Sequence, residues 1–399
     1  MKVALLKGNR FNPWHLQAYR LLHDRFSVTA FRAESEIQRY YLEQDDGTPL
    51  GLSYEAIHYD TEMGGLALRL WNRVLDRAGV RDPRILPFHV RLRDFDLIHT
   101  WELFPSWTEE ALEARRKFGV PVAVMVWDNI PFNMERDGEM RARKRRALEE
   151  ADLFLVHTER SRRTLMLEGV SADRIVQFAP GVDTDLFSPG PYHRADLGLA
   201  ADEFVILFVG FLFARKGIDF LLMALKGLLR DDALAGRKIR LLMVGAALGR
   251  ERVETLARRL GVTQACTFAG SVPYGQMPNV FRSSNAFVLP SIATEEWQEQ
   301  FGMSLIEAMA CGTPAVSTYS GAIPEIAGDG AALCQPNDFL ALYETLKDLI
   351  LRPERREALG RAGRARALSH FGLQANADAL AAVYEQCGRH AGQTGNTPR

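Results

Sequence analysis

The chain has 399 residues, 47% of them apolar, and its 49 Lys and Arg offset 50 Asp and Glu to a net charge of −1. That length holds two domains with full cores, and that composition excludes a disordered chain. Balanced charge excludes bulk nucleic-acid binding, and no apolar run approaches the ~20 residues of a spanning helix.

Met1–Leu6 is an apolar burst stopped by Lys7. It is too short for a signal-peptide core and is expected to be a buried first strand. Short apolar runs then alternate with amphipathic stretches, the pattern of parallel sheets with crossover helices. In the first half, strands are expected at Val3–Leu6, Phe26–Phe31, Leu97–Thr100, Val120–Val126, Leu153–Thr158 and Ile175–Phe178. Runs this apolar belong to strands buried on both faces. The polar, Gly-containing segment Tyr40–Tyr59 breaks the rhythm and is expected to be an insertion or loop near a site entrance. A boundary follows at Ala179-Pro180-Gly181-Val182-Asp183, with loop to Gly198.

A second series has expected strands at Phe204–Gly210, Ile239–Gly245, Cys266–Ala269, Ala286–Pro290 and Ala315–Thr318. Helices are expected over Phe339–Leu351, Pro353–Phe371 and Gln374–Gln386, and the Gly-rich tail 388–399 is expected to be disordered. The fold class is therefore α/β, with Rossmann-like doubly wound domains at 1–182 and 183–373. Such a pair predicts a ligand in the central cleft, at the carboxyl ends of the strands. The four cysteines (Cys266, Cys311, Cys334, Cys387) form no CxxC pair, as in a reducing compartment. A cytoplasmic protein is expected, at most peripheral at the inner membrane face.

The most informative string runs from Glu299 to Pro314. A buried strand ends at Pro290-Ser291, a polar loop follows, and a helix starts near Gly302 and closes at Gly312. Gly302 lets a ligand approach the backbone, and the N–H groups of Met303, Ser304 and Leu305 would face a phosphate. Glu307 can accept from a ribose diol and Glu299 from sugar hydroxyls. Either Glu alone is more often a solvated acid; the order of the string is the specific signal. In the loop Gly210–Gly217, Arg215 and Lys216 can clamp a diphosphate, although an Arg-Lys pair alone is more often a solvated surface pair.

Weaker features have bland readings. Arg136–Arg146 carries six basic residues and is expected to be a solvated helix; the alternative is weak peripheral membrane contact through Arg141–Arg146. Asp94-Phe95-Asp96 and Asp183-Thr184-Asp185 are expected to be solvated or capping acids. The nine His residues show no clustered ligand spacing, and no GxGxxG follows a strand. No metal and no cofactor are expected.

The string Glu299, Phe301, Gly302, Glu307, Ala308, Ala310, Gly312, Pro314 closely resembles the signature of retaining glycosyltransferase family 4. Ser320-Gly321-Ala322-Ile323-Pro324-Glu325 resembles the family's Gly-Gly-x-Pro-Glu turn. Pro180-Gly181-Val182-Asp183 with Phe187 resembles its interdomain segment, and Leu359-Gly360 to Phe371 its C-terminal helix. The resemblance is strong from about Pro180 to Glu385 and weak before that.

It implies the GT-B architecture, with an N-terminal acceptor domain, a C-terminal donor domain including Gly210, and a last helix, 374–386, packing back on the first. It implies transfer, with retention, of a sugar from a nucleotide-diphosphate donor to a glycan, lipid-linked or small-molecule hydroxyl. Glu299 would orient the sugar and Glu307 the ribose, while Lys216 would hold the leaving phosphates. The family's second cation is replaced by Phe211, with Arg215 a nearby substitute. Trp127 replaces the family's His, and Asp128 keeps the following acid, with turn capping the competing role. Gly8, Asn9 and Arg10 would meet donor phosphate or acceptor. Base selection would fall near Ser271–Tyr274. The competing functions are a nucleotide-sugar epimerase or phosphorylase on the same fold, and a non-catalytic nucleotide-sugar-binding protein.

Overall fold

The computed structural model describes residues 1–8, 13–33, 52–57 and 88–394. The chain forms two compact α/β units, Met1–Gly181 with Gln374–Arg399, and Val182–Leu373.

The first unit has strands β1 (Lys2–Gly8), β2 (Ser27–Ala33), β3 (Ser53–Ile57), β4 (Leu97–Trp101), β5 (Val122–Val126), β6 (Leu153–Val156) and β7 (Ile175–Gln177). They form one parallel sheet in the order β3-β2-β1-β4-β5-β6-β7. The second unit has β8 (Phe204–Val209), β9 (Ile239–Val244), β10 (Cys266–Gly270), β11 (Ala286–Leu289), β12 (Ala315–Thr318) and β13 (Ala331–Cys334). Its parallel order is β10-β9-β8-β11-β12-β13.

Central strands are apolar because both faces are covered. Val3–Leu6, Val122–Val126 and Val205–Phe208 are almost fully excluded from solvent. Each such side chain contributes about 1.5–3 kcal/mol by burial. The strand order reverses between β1 and β4 in one sheet and between β8 and β11 in the other. Parallel sheets bind ligands outside the carboxyl ends of the strands that flank such a reversal. Those ends are Lys7–Gly8 with Trp101, and Gly210 with Pro290.

Every strand expected from sequence forms within two residues of its expected ends. Two strands carry no such signal. β3 lies within Tyr40–Tyr59, which was expected to be a loop; it is an edge strand, and Ser53, Tyr54 and Glu55 are exposed, so no apolar run marks it. The flanking Tyr40–Gly51, His58 and Tyr59 lie outside the described residues. β13 is a four-residue edge strand built largely of small residues. The last helix also corrects the expectation: it spans Leu373–Thr394, so residues 388–394 are helical rather than disordered. Gly388 and Gly392 cost about 1 kcal/mol each relative to Ala but do not break it. Within the first unit, this helix places the Tyr384 hydroxyl 2.8 Å from Tyr19 and 2.7 Å from His99 Nδ1.

The basic segment forms a helix over Gly138–Glu150, but not a uniformly solvated one. Met140, Arg143, Lys144 and Ala147 share its buried face. Arg143 donates to Glu139 (2.8 Å) and Lys144 to Glu168 (2.7 Å). The expectation failed because compensating acids come from neighbouring segments as well as from the helix itself. Asp183 behaves as expected for a capping acid, accepting from the N–H groups of Asp185 and Leu186.

The loop leaving β8 is fastened to the end of β11. Gly217 has φ +71°, and a Cβ there would stand 1.8 Å from the Pro290 carbonyl oxygen. Gly217→Ala should therefore lower unfolding stability by about 2–4 kcal/mol, from backbone strain plus overpacking. Denaturant unfolding checks this; an unchanged midpoint would contradict the close approach.

Candidate active site

Beyond β11 the chain passes Pro290 and Ser291, loops through residues 292–300 and enters the helix Met303–Ala310. Glu299, at the end of that loop, is 5% exposed. Both its carboxylate oxygens accept from the Lys216 ammonium, at 3.1 and 2.8 Å, and Oε2 also accepts from the Ser291 hydroxyl at 2.5 Å. Lys216 comes from the β8 loop and Ser291 from the β11 end, so the pair spans the strand reversal.

The turn Ser320–Ala322 fixes the backbone of Glu299. Ala322 N–H donates to the Glu299 carbonyl at 2.9 Å. Gly321 has φ +54°, and a Cβ there would lie 2.1 Å from the same oxygen. The family-like turn thus acts on the acid by close backbone approach.

Arg215 is exposed, and its guanidinium lies 4.7 Å from the Trp297 ring centroid and 5.4 Å from that of Phe213. The Lys216 ammonium lies 5.0 Å from the same Trp297 ring, and Phe211 stacks on Phe213. Trp297 was not singled out in the sequence, since a lone Trp in a polar loop has no motif around it. The aromatic shelf orients both cations.

Gly302 takes φ +91° as the residue before the helix. Met303 and Ser304 hold the first two helical positions, where N–H groups have no intrahelical acceptor. Leu305 differs from expectation: its N–H already bonds to Gly302 O at 2.9 Å, and its side chain is buried. Phe301 is also corrected as a side-chain contact. Its ring is fully buried, 5.8 Å edge-on to Phe371. Gly210 sits at φ +142°, with its N–H bonded to Val244 O, where Gly245 has room for no Cβ.

Glu307 is not a solvated helix acid. It is 6% exposed and accepts from the Tyr274 hydroxyl at 2.9 Å. Burial pushes its pKa up to about 7, against the opposing bond from Tyr274. Below this helix, Arg364 donates to the carbonyls of Ala310, Phe187 and Thr184. It thereby ties the helix end to the 183–187 segment, which explains why both belong to one sequence pattern.

The first unit's candidates form a separate group. Gly8 has φ +59°, but its close neighbour is the Trp107 ring, 2.2 Å from where a Cβ would be. Its glycine requirement is therefore met by packing. Asn9 and Arg10 lie outside the described residues. Asp128 ties down its own turn, accepting from Ile130 N–H and Asn133 Nδ2; burial raises its pKa, and those bonds oppose the rise. Trp127 stacks on His15 at 5.0 Å and meets His157 edge-on at 5.0 Å. Around them sits a buried basic group that sequence reasoning missed. Burial lowers Lys7 to about 7, His99 to about 3 and His157 to about 4, and lowers His15 well below its usual value. Only the bulge position of Lys7 could have signalled this, and bulges are not legible in sequence.

Among the described residues, no helix is long and apolar enough to cross a membrane. The family described as Glycosyl transferases group 1 matches residues 191–366, and Glycosyltransferase Family 4 matches 54–186. A D-inositol 3-phosphate glycosyltransferase of Segniliparus rotundus is 37% identical over 213 residues, 51% of this chain and 45% of that protein. One of Corynebacterium jeikeium is 32% identical over 277 residues, 64% of this chain and 63% of that protein. The chain thus spans about half of the first of these relatives and under two thirds of the second. Among solved structures, sucrose-phosphate synthase from Thermosynechococcus elongatus superposes with a TM-score of 0.74 at 21% identity, covering 97% of this chain and 98% of that one. Anabaena HepE in complex with UDP superposes at 0.73 with 19% identity, covering 97% and 100%. The fold is that of the GT-B glycosyltransferases.

Lys7 makes stability depend on pH. Between about pH 7 and 10.5 the unfolded chain holds a proton that the folded one has shed, so stability rises across that window. Lys7→Met should remove a rise on the order of 4 kcal/mol. Unfolding midpoints from pH 7 to 10.5 check this, and parallel profiles for the two proteins would contradict it.

Proposed function

We propose that this chain, matched by the families described as Glycosyl transferases group 1 and Glycosyltransferase Family 4, moves a sugar from a nucleoside-diphosphate donor to a hydroxyl acceptor with retention. The donor binds on the Val182–Leu373 unit and the acceptor on the other. The observation that carries this reading is the Lys216–Glu299 pair beside the open start of the Met303–Ala310 helix.

In this mechanism the diphosphate takes the Lys216 ammonium and the N–H groups of Met303 and Ser304. Those groups meet the negative charge that grows on the departing phosphate, where fixed donors count most. Glu299, released from Lys216, accepts from sugar hydroxyls. Glu307 accepts from the ribose diol, which favours its charged form. Arg215, held over Trp297, supplies the second cation that the position of Phe211 lacks. The acceptor proton passes to the leaving phosphate oxygen on the same face, so no side-chain nucleophile is needed.

Positive charge from Lys216 and the helix start makes transfer independent of a metal, so chelation with EDTA should leave turnover unchanged. The described cysteines are free thiols, which supports a cytoplasmic site of action. Contact with an anionic membrane would fall to exposed Arg141, Arg145 and Arg146, because Arg143 and Lys144 are buried.

UDP-glucose, the ligand of a HepE structure, is the first donor to test. Lys216→Ala and Glu299→Ala should each cut UDP release by about 100-fold or more, with circular dichroism unchanged. Proton NMR of the product should show the donor's anomeric configuration. Wild-type turnover in either variant, or an inverted product, would overturn the reading.

A further inference from the structure

Lys7 has no part in the mechanism above, yet it occupies the switch point of the first sheet. It is 5% exposed and sits where the β1–β2 register slips between Leu6 and Gly8. Such a bulge re-aims a side chain, and bulges concentrate next to functional sites. The ammonium lies 3.5 Å from His15 Nδ1 and 4.9 Å from the Trp101 ring centroid. Among the described residues, no acid pairs with it.

The surrounding groups are bases and aromatics. His15 comes from the 3-10 segment Pro13–Leu21, His99 and Trp101 from β4, and Trp127 and His157 follow β5 and β6. His157 Nδ1 donates to Phe178 O, and His99 Nδ1 meets the hydroxyls of Tyr19 and Tyr384. Glu102, just past β4, accepts from the Trp127 N–H. Trp101 Nε1 and His99 Nε2 are buried without a partner among the described residues. A buried ammonium with no acid beside it among the described residues, and a buried indole N–H with no acceptor there, are costly to keep. They are complementary to one ligand feature, an anionic oxygen group. Lys7 lies outside both matched family segments, and Trp101 lies inside the segment 54–186.

We infer that the carboxyl end of the first sheet holds a carboxylate or phosphate of the acceptor, with the Lys7 ammonium as counter-ion and the Trp101 indole N–H as second donor. It rests on the transferase reading only in calling that ligand the acceptor. The anion restores the Lys7 proton that burial removes, so affinity for an acidic ligand falls as pH rises from 7 to 9. His15, His99 and His157 stay neutral across that range, and Glu102 contributes no ion pair to Lys7.

The test is calorimetric titration of the full chain, saturated with UDP, with glucose, glucuronate and glucose 6-phosphate. At least one acid should bind about tenfold or more tighter than glucose, glucuronate marking a carboxylate site and glucose 6-phosphate a phosphate site. Lys7→Met, close to Lys in length, should erase that preference and leave the UDP affinity intact, which shows that the variant is folded. Equal binding of all three sugars, or a preference that survives in Lys7→Met, would overturn the inference. Failure of the wild type to bind UDP would instead count against the transferase reading.

Discussion

The candidate site of the second unit is organised around one ion pair. Lys216 and Glu299 come from loops that leave different strands, and they meet because β8 and β11 are neighbours at the point where strand order reverses. The pair is mostly buried, so removing one partner would strand the other at a cost of about 3–5 kcal/mol. A ligand offering a phosphate to Lys216 and hydroxyls to Glu299 replaces both partners at once. In the proposed function, the pair keeps each group oriented for one half of a nucleotide-sugar.

The glycines around this pair act through contact. Gly217 lets the β8 loop touch Pro290, Gly321 lets its turn touch Glu299, and Gly360 lets the helix Pro353–His370 touch Gly312. Each of these backbone approaches excludes a Cβ. The motifs that looked separate in the sequence are the parts of one clamp. Arg364 completes it by bonding three carbonyls from two segments.

Much of this was legible beforehand, and for physical reasons. Strands buried on both faces announce themselves as apolar runs, and the Glu299–Pro314 string has fixed spacing because a loop and a short helix must present two acids. What escaped was set by tertiary partners. Arg143 and Lys144 turn inward because Glu139 and Glu168 meet them, and Glu307 is buried because Tyr274 covers it. Trp297 lies in a loop with no pattern, and the exposed edge strand β3 has no apolar run. In the first unit the expected Trp127 and Asp128 are present, but Asp128 serves its own turn, and the more unusual chemistry belongs to Lys7.

In the proposed function Lys216 and Glu299 hold different halves of one donor. Titration of Lys216→Met and Glu299→Gln with UDP and with UDP-glucose tests it most directly. Lys216→Met should weaken both ligands alike, whereas Glu299→Gln should weaken UDP-glucose and leave UDP nearly unchanged. Equal losses for both ligands in Glu299→Gln would show that the acid serves only to hold Lys216, and would overturn this division of the donor.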